Sequence, residues 1–188
     1  IQFDGIFRDA KIWINGFYAG NNLSGYIGAS YDITDFINFD HDNVIVVRVD
    51  ATQYEGWFYE GAGIYRHVWL NKYNNLHIAE NGSFVYTNVK KNEATINIET
   101  ALQNQNAFSS SCTINSVITD REGKILGHTN EQAISLAINE NRIIKQKIIL
   151  SQPKLWSVDD PYLYRVIPLI KSNGQIIDTE QKRFGMRP

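Results

Sequence analysis

Cysteine, clustered histidine, excess charge and long apolar runs are all scarce in this sequence, and each scarcity excludes something. Cys112 is the single cysteine among 188 residues, so no intrachain disulfide and no thiolate-based zinc site can form, and packing alone must stabilise the fold. His41, His67, His77 and His128 are scattered, with no spacing that would set two on one face as metal ligands. Asp40-His41-Asp42-Asn43 offers oxygens but lacks the glycine and distal glutamate of a calcium loop, and reads as a polar turn. No metal and no cofactor is therefore expected. A net charge of -2, with no Lys/Arg stripe, excludes the electrostatics of nucleic-acid binding. No apolar run approaches the roughly 20 residues of a membrane helix, and Ile1 to Phe7 is no charged-then-apolar leader. The compartment stays open between a bacterial periplasm and a cytoplasm.

What is present suffices for a core: 43% of residues are hydrophobic and 12% aromatic, against 20% charged, which is a globular composition. Apolar and polar residues alternate with period two almost throughout, while no stretch of helical length keeps a stripe at i, i+3, i+4, i+7. The fold is expected to be all-β. Asn15-Gly16 sits between Ala10–Asn15 and Phe17–Gly20 and tolerates the positive φ of a two-residue hairpin. Residues 26–33 read as a strand, Thr34-Asp35-Phe36 as a single turn capped by a Thr or Asp oxygen, residues 44–50 as a central strand apolar on both faces, and residues 64–70 as a strand with Tyr65, His67 and Trp69 on one face. The polar stretch from Lys72 to Asn75 marks a boundary, giving units of 1–73 and 74–188. In the second, strands over 76–87, 93–102, 111–120, 124–128, 132–138, 142–150, 162–170 and 175–184 predict a sandwich. Ala94, Ile96, Ile98 and Leu102 should point inward, and Pro168 should mark an edge or bulge. The alternation already running at Ile1 suggests the middle of a strand in a trimmed chain.

The stretch Phe3-Asp4-Gly5-Ile6-Phe7-Arg8-Asp9-Ala10-Lys11-Ile12-Trp13-Ile14-Asn15-Gly16, then Gly20 and Ser24-Gly25-Tyr26, resembles the sugar-binding domain of glycoside hydrolase family 2. Tyr31-Asp32-Ile33-Thr34-Asp35, residues 43–50 and Gly61-Ala62-Gly63-Ile64-Tyr65-Arg66-His67-Val68-Trp69-Leu70 continue the match in order and spacing. Leu155-Trp156-Ser157, Asp160-Pro161-Tyr162-Leu163-Tyr164 and Phe184-Gly185-Met186-Arg187 resemble the end of the family's immunoglobulin-like domain. The resemblance implies a truncated jelly-roll β-domain followed by an immunoglobulin-like β-sandwich, from an enzyme of the β-galactosidase kind whose catalytic barrel lies outside this chain. The family's retaining mechanism needs two carboxylates roughly 5 to 5.5 Å apart, and both belong to that barrel, so no catalytic residue is expected here. Asn92-Glu93, Asn130-Glu131 and Asn139-Glu140 repeat the dipeptide of the family's acid/base, but at turns and strand starts, and read as solvated turn residues.

Residues 52–63 gather aromatic and acidic side chains among glycines. An aromatic face stacks on the C–H face of a pyranose, and a carboxylate accepts from its hydroxyls. By resemblance, Asp50, Glu55, Trp57, Tyr59 and Glu60 are the candidate sugar-contacting residues; the competing reading has the aromatics packing at a domain interface. Arg66 reads as structural, paired with the barrel or with Asp9, and Trp13 and Trp69 as core or interface residues. Asn22-Leu23-Ser24 and Asn81-Gly82-Ser83 fit the glycosylation pattern. The implied partners are a β-galactoside or related glycan, the parent's own barrel and further copies of the parent. A β-glucuronidase or β-mannosidase parent shares the architecture. A free-standing carbohydrate-binding module is the principal alternative, and an adhesion-type immunoglobulin domain a third. A module should bury its aromatic joints, whereas a severed fragment should leave an apolar patch exposed.

Overall fold

The computed structural model describes residues 1–53 and 61–187. It is all-β apart from one 3-10 turn, and it divides into two compact units, Ile1–Lys72 and Tyr73–Pro188.

In the first unit the strands are β1 (Gln2–Phe3), β2 (Ile6–Phe7), β3 (Ala10–Ile14), β4 (Phe17–Asn22), β5 (Ala29–Ser30), β6 (Ile45–Arg48), β7 (Gly63–Ile64) and β8 (Val68–Trp69). The β3–β4 hairpin turns on Asn15 and Gly16 at φ 50° and 87°, the pair of positive angles that suits a right-handed strand twist. Alternation along β3 drives Ala10, Ile12 and Ile14 into a core with Phe3, Ile6 and Ile33. The turn Thr34–Phe36 forms where expected; its cap position is Ile33, and Asp32, one residue earlier, accepts from the Thr34 N–H at 3.0 Å.

Three expectations change here. Of residues 26–33 only Ala29–Ser30 forms a strand, continued by the backbone bonds that Tyr31 exchanges with Ile1, because Gly25 to Gly28 bends to bring its backbone under Phe3 and Phe7. Among the described residues β6 is an edge, not a centre, since the sheet runs β4-β3-β6; Val47 packs on the core while Ile45 and Val46 stay 46% and 50% exposed. Residues 64–70 break into β7 and β8, which pair β2 and β1 as two pieces of one interrupted antiparallel ladder. The interruption is bridged by the Asp4 N–H donating to His67 O at 2.9 Å. Tyr65 lies against Gly5, where a Cβ would sit 2.7 Å from the ring, and its hydroxyl donates to Gly25 O at 2.8 Å. The motif glycines 5 and 25 are thus the two backbone surfaces on which one tyrosine rests.

The second unit is a two-sheet sandwich. Its strands are β9 (Leu76–Lys90), β10 (Glu93–Asn104), β11 (Ser110–Thr119), β12 (Ile125–His128), β13 (Gln132–Leu136), β14 (Asn141–Ser151), β15 (Tyr164–Ser172), β16 (Gln175–Thr179) and β17 (Lys182–Phe184). One sheet runs β14-β10-β9; the other runs β12-β11-β15-β16, with β13 also on β11 and β17 also on β15. Crossing between sheets after β10, β13 and β14 is the strand order of an immunoglobulin-like sandwich. Ala94, Ile96, Ile98 and Leu102 all point inward as expected, and so does Thr100. The interior has two apolar clusters, one around Ile96, Ile98, Ile118 and Val166, the other around Leu102, Ile114, Leu136 and Ile170. Buried polar side chains, Thr100, Ser116, Thr129 and Gln146, also lie within the sandwich. Pro168 lies on a central strand, but the ladder opposite it is broken: β16 pairs from Leu169 onward and β17 only up to Val166. The missing N–H therefore falls at the break, as a proline in a sheet requires.

Candidate functional site

The candidate sugar rim begins where β6 ends. Asp50 is fixed from both sides of its carboxylate: Oδ1 accepts from Thr52 Oγ1 at 2.7 Å and from the Thr52 N–H at 3.2 Å, and Oδ2 accepts from Arg48 at 3.2 Å. Its own N–H donates to Arg8 O at 3.1 Å. The Thr52 hydroxyl and N–H, then the nearby Arg48 and Lys11 charges, hold the carboxyl below the usual aspartate range. Arg8 reaches back to Gln53, donating to its backbone O at 3.3 Å and its Oε1 at 3.4 Å. The root of the loop is therefore clamped to the β2–β3 corner, with an ionised carboxylate and two flanking cations at the surface. Such a group can accept hydrogen bonds from hydroxyls without changing its protonation.

Of the five sequence-predicted contacts, only Asp50 can be placed; Glu55, Trp57, Tyr59 and Glu60 lie outside the described residues. Sequence reasoning overlooked Arg8, Thr52 and Gln53. The usable signal was an Asp followed two residues later by Thr, an Asx-type turn.

The other candidates resolve individually. Arg66 is exposed, and among the described residues it pairs neither with Asp9 nor with any other carboxylate, which corrects the expected bridge within the unit. Trp69 is not a core residue: it is 48% exposed, lies tilted against His67 with ring centroids 5.3 Å apart and donates from Nε1 to Asp4 Oδ2 at 3.0 Å. Trp13 is half-buried against Tyr18. Glu131 accepts from Thr113 Oγ1 at 2.7 Å and faces Lys171 at 3.3 Å; Glu140 accepts from the Ala137 N–H at 2.7 Å and from Arg142. Both are lowered in pKa by these partners, which suits turn closure and not proton donation. Asn43 organises the 40–43 turn, accepting from the Asn38 N–H at 2.7 Å and from Asn15 Nδ2 at 2.8 Å. Among the described residues no three His, Cys, Asp or Glu side chains gather as metal ligands. Asn22 is buried, with its amide donating to Ile27 O at 3.0 Å, so it presents no acceptor for a glycan.

Several large apolar side chains of the first unit face outward, including Val44, Ile45 and Val46 around β6 and Val68, Trp69 and Leu70 around β8. A self-contained domain seldom leaves that much apolar surface exposed.

The family model for glycosyl hydrolases family 2 matches residues 76–187, more than half of the chain. A β-galactosidase of Bacteroides ovatus is 35% identical over the whole chain, which covers 22% of that protein; a β-glucuronidase of Formosa agariphila is 30% identical, with 21% of it covered. The crystal structure of a glycosyl hydrolase family 2 member from Bacteroides cellulosilyticus superposes on 98% of this chain with a TM-score of 0.93 and 32% identity, the chain covering 25% of it. A β-glucuronidase structure of the same family aligns over all of this chain, 22% of its own, with a TM-score of 0.94 and 27% identity. The chain thus spans about a fifth of the length of these curated relatives.

Proposed function

This chain belongs to glycosyl hydrolases family 2, and from that premise we propose that it is a non-catalytic β-portion of a larger retaining glycosidase, β-galactosidase-like, which supports the catalytic barrel and lends the sugar subsite part of its rim. The observation that carries the reading is one of proportion: the whole chain aligns with enzymes of which it makes up 22% and 21%. In support, Glu131 and Glu140 are engaged by structural partners of their own, whereas a retaining site needs two free carboxylates roughly 5 to 5.5 Å apart. The exposed apolar strands of the first unit, the expected truncated jelly roll, favour a supporting role over that of an autonomous carbohydrate-binding module, because a module buries its own joints.

In this reading Asp50 and the loop that follows contribute binding and orientation. The clamp formed by Arg8, Thr52 and Gln53 keeps the loop root in place, and the ionised Asp50 accepts from sugar hydroxyls. Glu55, Trp57, Tyr59 and Glu60 supply the stacking face and further acceptors. A β-galactoside is the first substrate to test and a β-glucuronide the second, as both activities occur among the relatives. In the complete enzyme, Asp50→Asn and Glu60→Ala should each raise KM by about tenfold or more, the worth of one charge-assisted hydrogen bond, with kcat little changed. An unchanged KM in both would remove the rim from the proposal.

A further inference from the structure

The outward face of the β14-β10-β9 sheet carries two lateral rows of the same design. Strand register sets Phe84, Glu99 and Lys145 side by side across the three strands, and in the next row Tyr86, Asn97 and Lys147. Each row reads aromatic, acceptor or amide, ammonium, with about 4.8 Å between neighbours. In the first row the charges cancel, with Lys145 Nζ 3.1 Å from Glu99 Oε1. In the second an amide stands where the carboxylate would be. Lys147 consequently has no carboxylate within ion-pair distance among the described residues, and Asn97 Nδ2 is covered without a hydrogen-bond partner. Both are donors that lack an acceptor, and they are cross-strand neighbours.

Tyr86, Asn97, Lys145 and Lys147 line one depression of about 430 Å³, together with Asn130 from the segment linking β12 to β13 and Gln132 at the start of β13. Tyr86 forms its aromatic wall, 43% exposed and with Phe84 5.8 Å away. A partly exposed aromatic ring suits the C–H face of a pyranose, and amides at the rim suit its hydroxyls. The exposed Lys147 ammonium, with a neutral amide in place of a carboxylate beside it, calls for an anion. We propose that this depression is a second saccharide site, remote in sequence from the Asp50 rim, which takes a uronic acid with its ring on Tyr86 and its carboxylate on Lys147, over the uncharged Asn97. It does not depend on the reading of the Asp50 rim.

Digalacturonate and its methyl diester, titrated separately into the 188-residue chain and followed by amide and side-chain NMR shifts, test it. The acid should shift Tyr86, Asn97 and Lys147 saturably, and the ester, which keeps the rings and loses the charge, should bind about tenfold or more weakly. Asn97→Asp is the decisive variant, because it supplies Lys147 with the carboxylate that Lys145 already has; it should weaken the acid by about tenfold or more, as should Tyr86→Ala. Raised salt should weaken binding as well. Absence of shifts, equal binding of the ester, indifference to Asn97→Asp in a folded variant, or equal shifts from a diglutamate peptide would each overturn the proposal, the last by making the site an acidic-peptide one.

Discussion

Gln146 joins the two sheets of the sandwich, and its replacement by leucine should be rescued by a second substitution that removes a hydroxyl. Its Oε1 accepts from Ser116 Oγ at 2.7 Å and its Nε2 donates to Thr129 Oγ1 at 2.8 Å, all of it buried. Thr129 Oγ1 also accepts from the Ser116 N–H at 2.8 Å, so it keeps a partner when the amide is lost. Ser116 Oγ does not. Gln146→Leu leaves that donor buried and unpaired, and Ser116→Ala leaves the amide oxygen in the same position; each orphan costs about 1–3 kcal/mol. The double variant has neither orphan. It should therefore be more stable than the sum of the single effects by about 2 kcal/mol, within the range seen for contacting residues, which is roughly 30-fold in the folding equilibrium. Native-state hydrogen exchange at the β10 and β11 ladder amides reads this in the sandwich alone, so that separate unfolding of the first unit does not blur it. Additivity within about 0.5 kcal/mol would refute the reasoning, for then the bond between amide and hydroxyl does not exist in solution.

Gly16→Ala should destabilise the first unit by about 1–2 kcal/mol: φ is 87° there and nothing lies within 4 Å, so the cost is purely conformational, readable from exchange of the β3 and β4 amides. The Asp50 carboxyl should titrate below the ordinary aspartate range in a carbon-13 NMR titration, and Thr52→Val should move it back toward that range, since Thr52 is the first cause of the shift. Because the folded pKa is depressed, the stabilisation from Asp50 is present above its unfolded pKa and is lost as pH falls through the folded value; a midpoint unmoved by Thr52→Val would contradict the clamp.

Legibility differed between the two units for physical reasons. In the sandwich β9, β10, β11, β14 and β15 run for 9 to 15 residues, long enough for alternation to locate them, and the β15–β16 hairpin turns on Asn173 and Gly174, both at positive φ. The single long strand expected over 175–184 is divided, because the break opposite Pro168 depends on a neighbour distant in sequence. In the first unit the strands at 2–3, 6–7, 63–64 and 68–69 have two residues each, too short for a period to show. Apolarity on both faces of residues 44–50 suggested a central strand, yet hydrophobicity reports what a strand could bury and not what lies beside it. At the candidate site the acidic and aromatic composition pointed to the loop, but the clamp of its root by Arg8 joins positions 45 residues apart and is invisible to local pattern.

The central claim is that the acids which cleave the glycosidic bond are not among these residues. Purified to homogeneity and incubated at high concentration with a nitrophenyl β-galactoside, the 188-residue chain should release nitrophenol no faster than buffer. Turnover above that background which follows the chain through successive columns would contradict it.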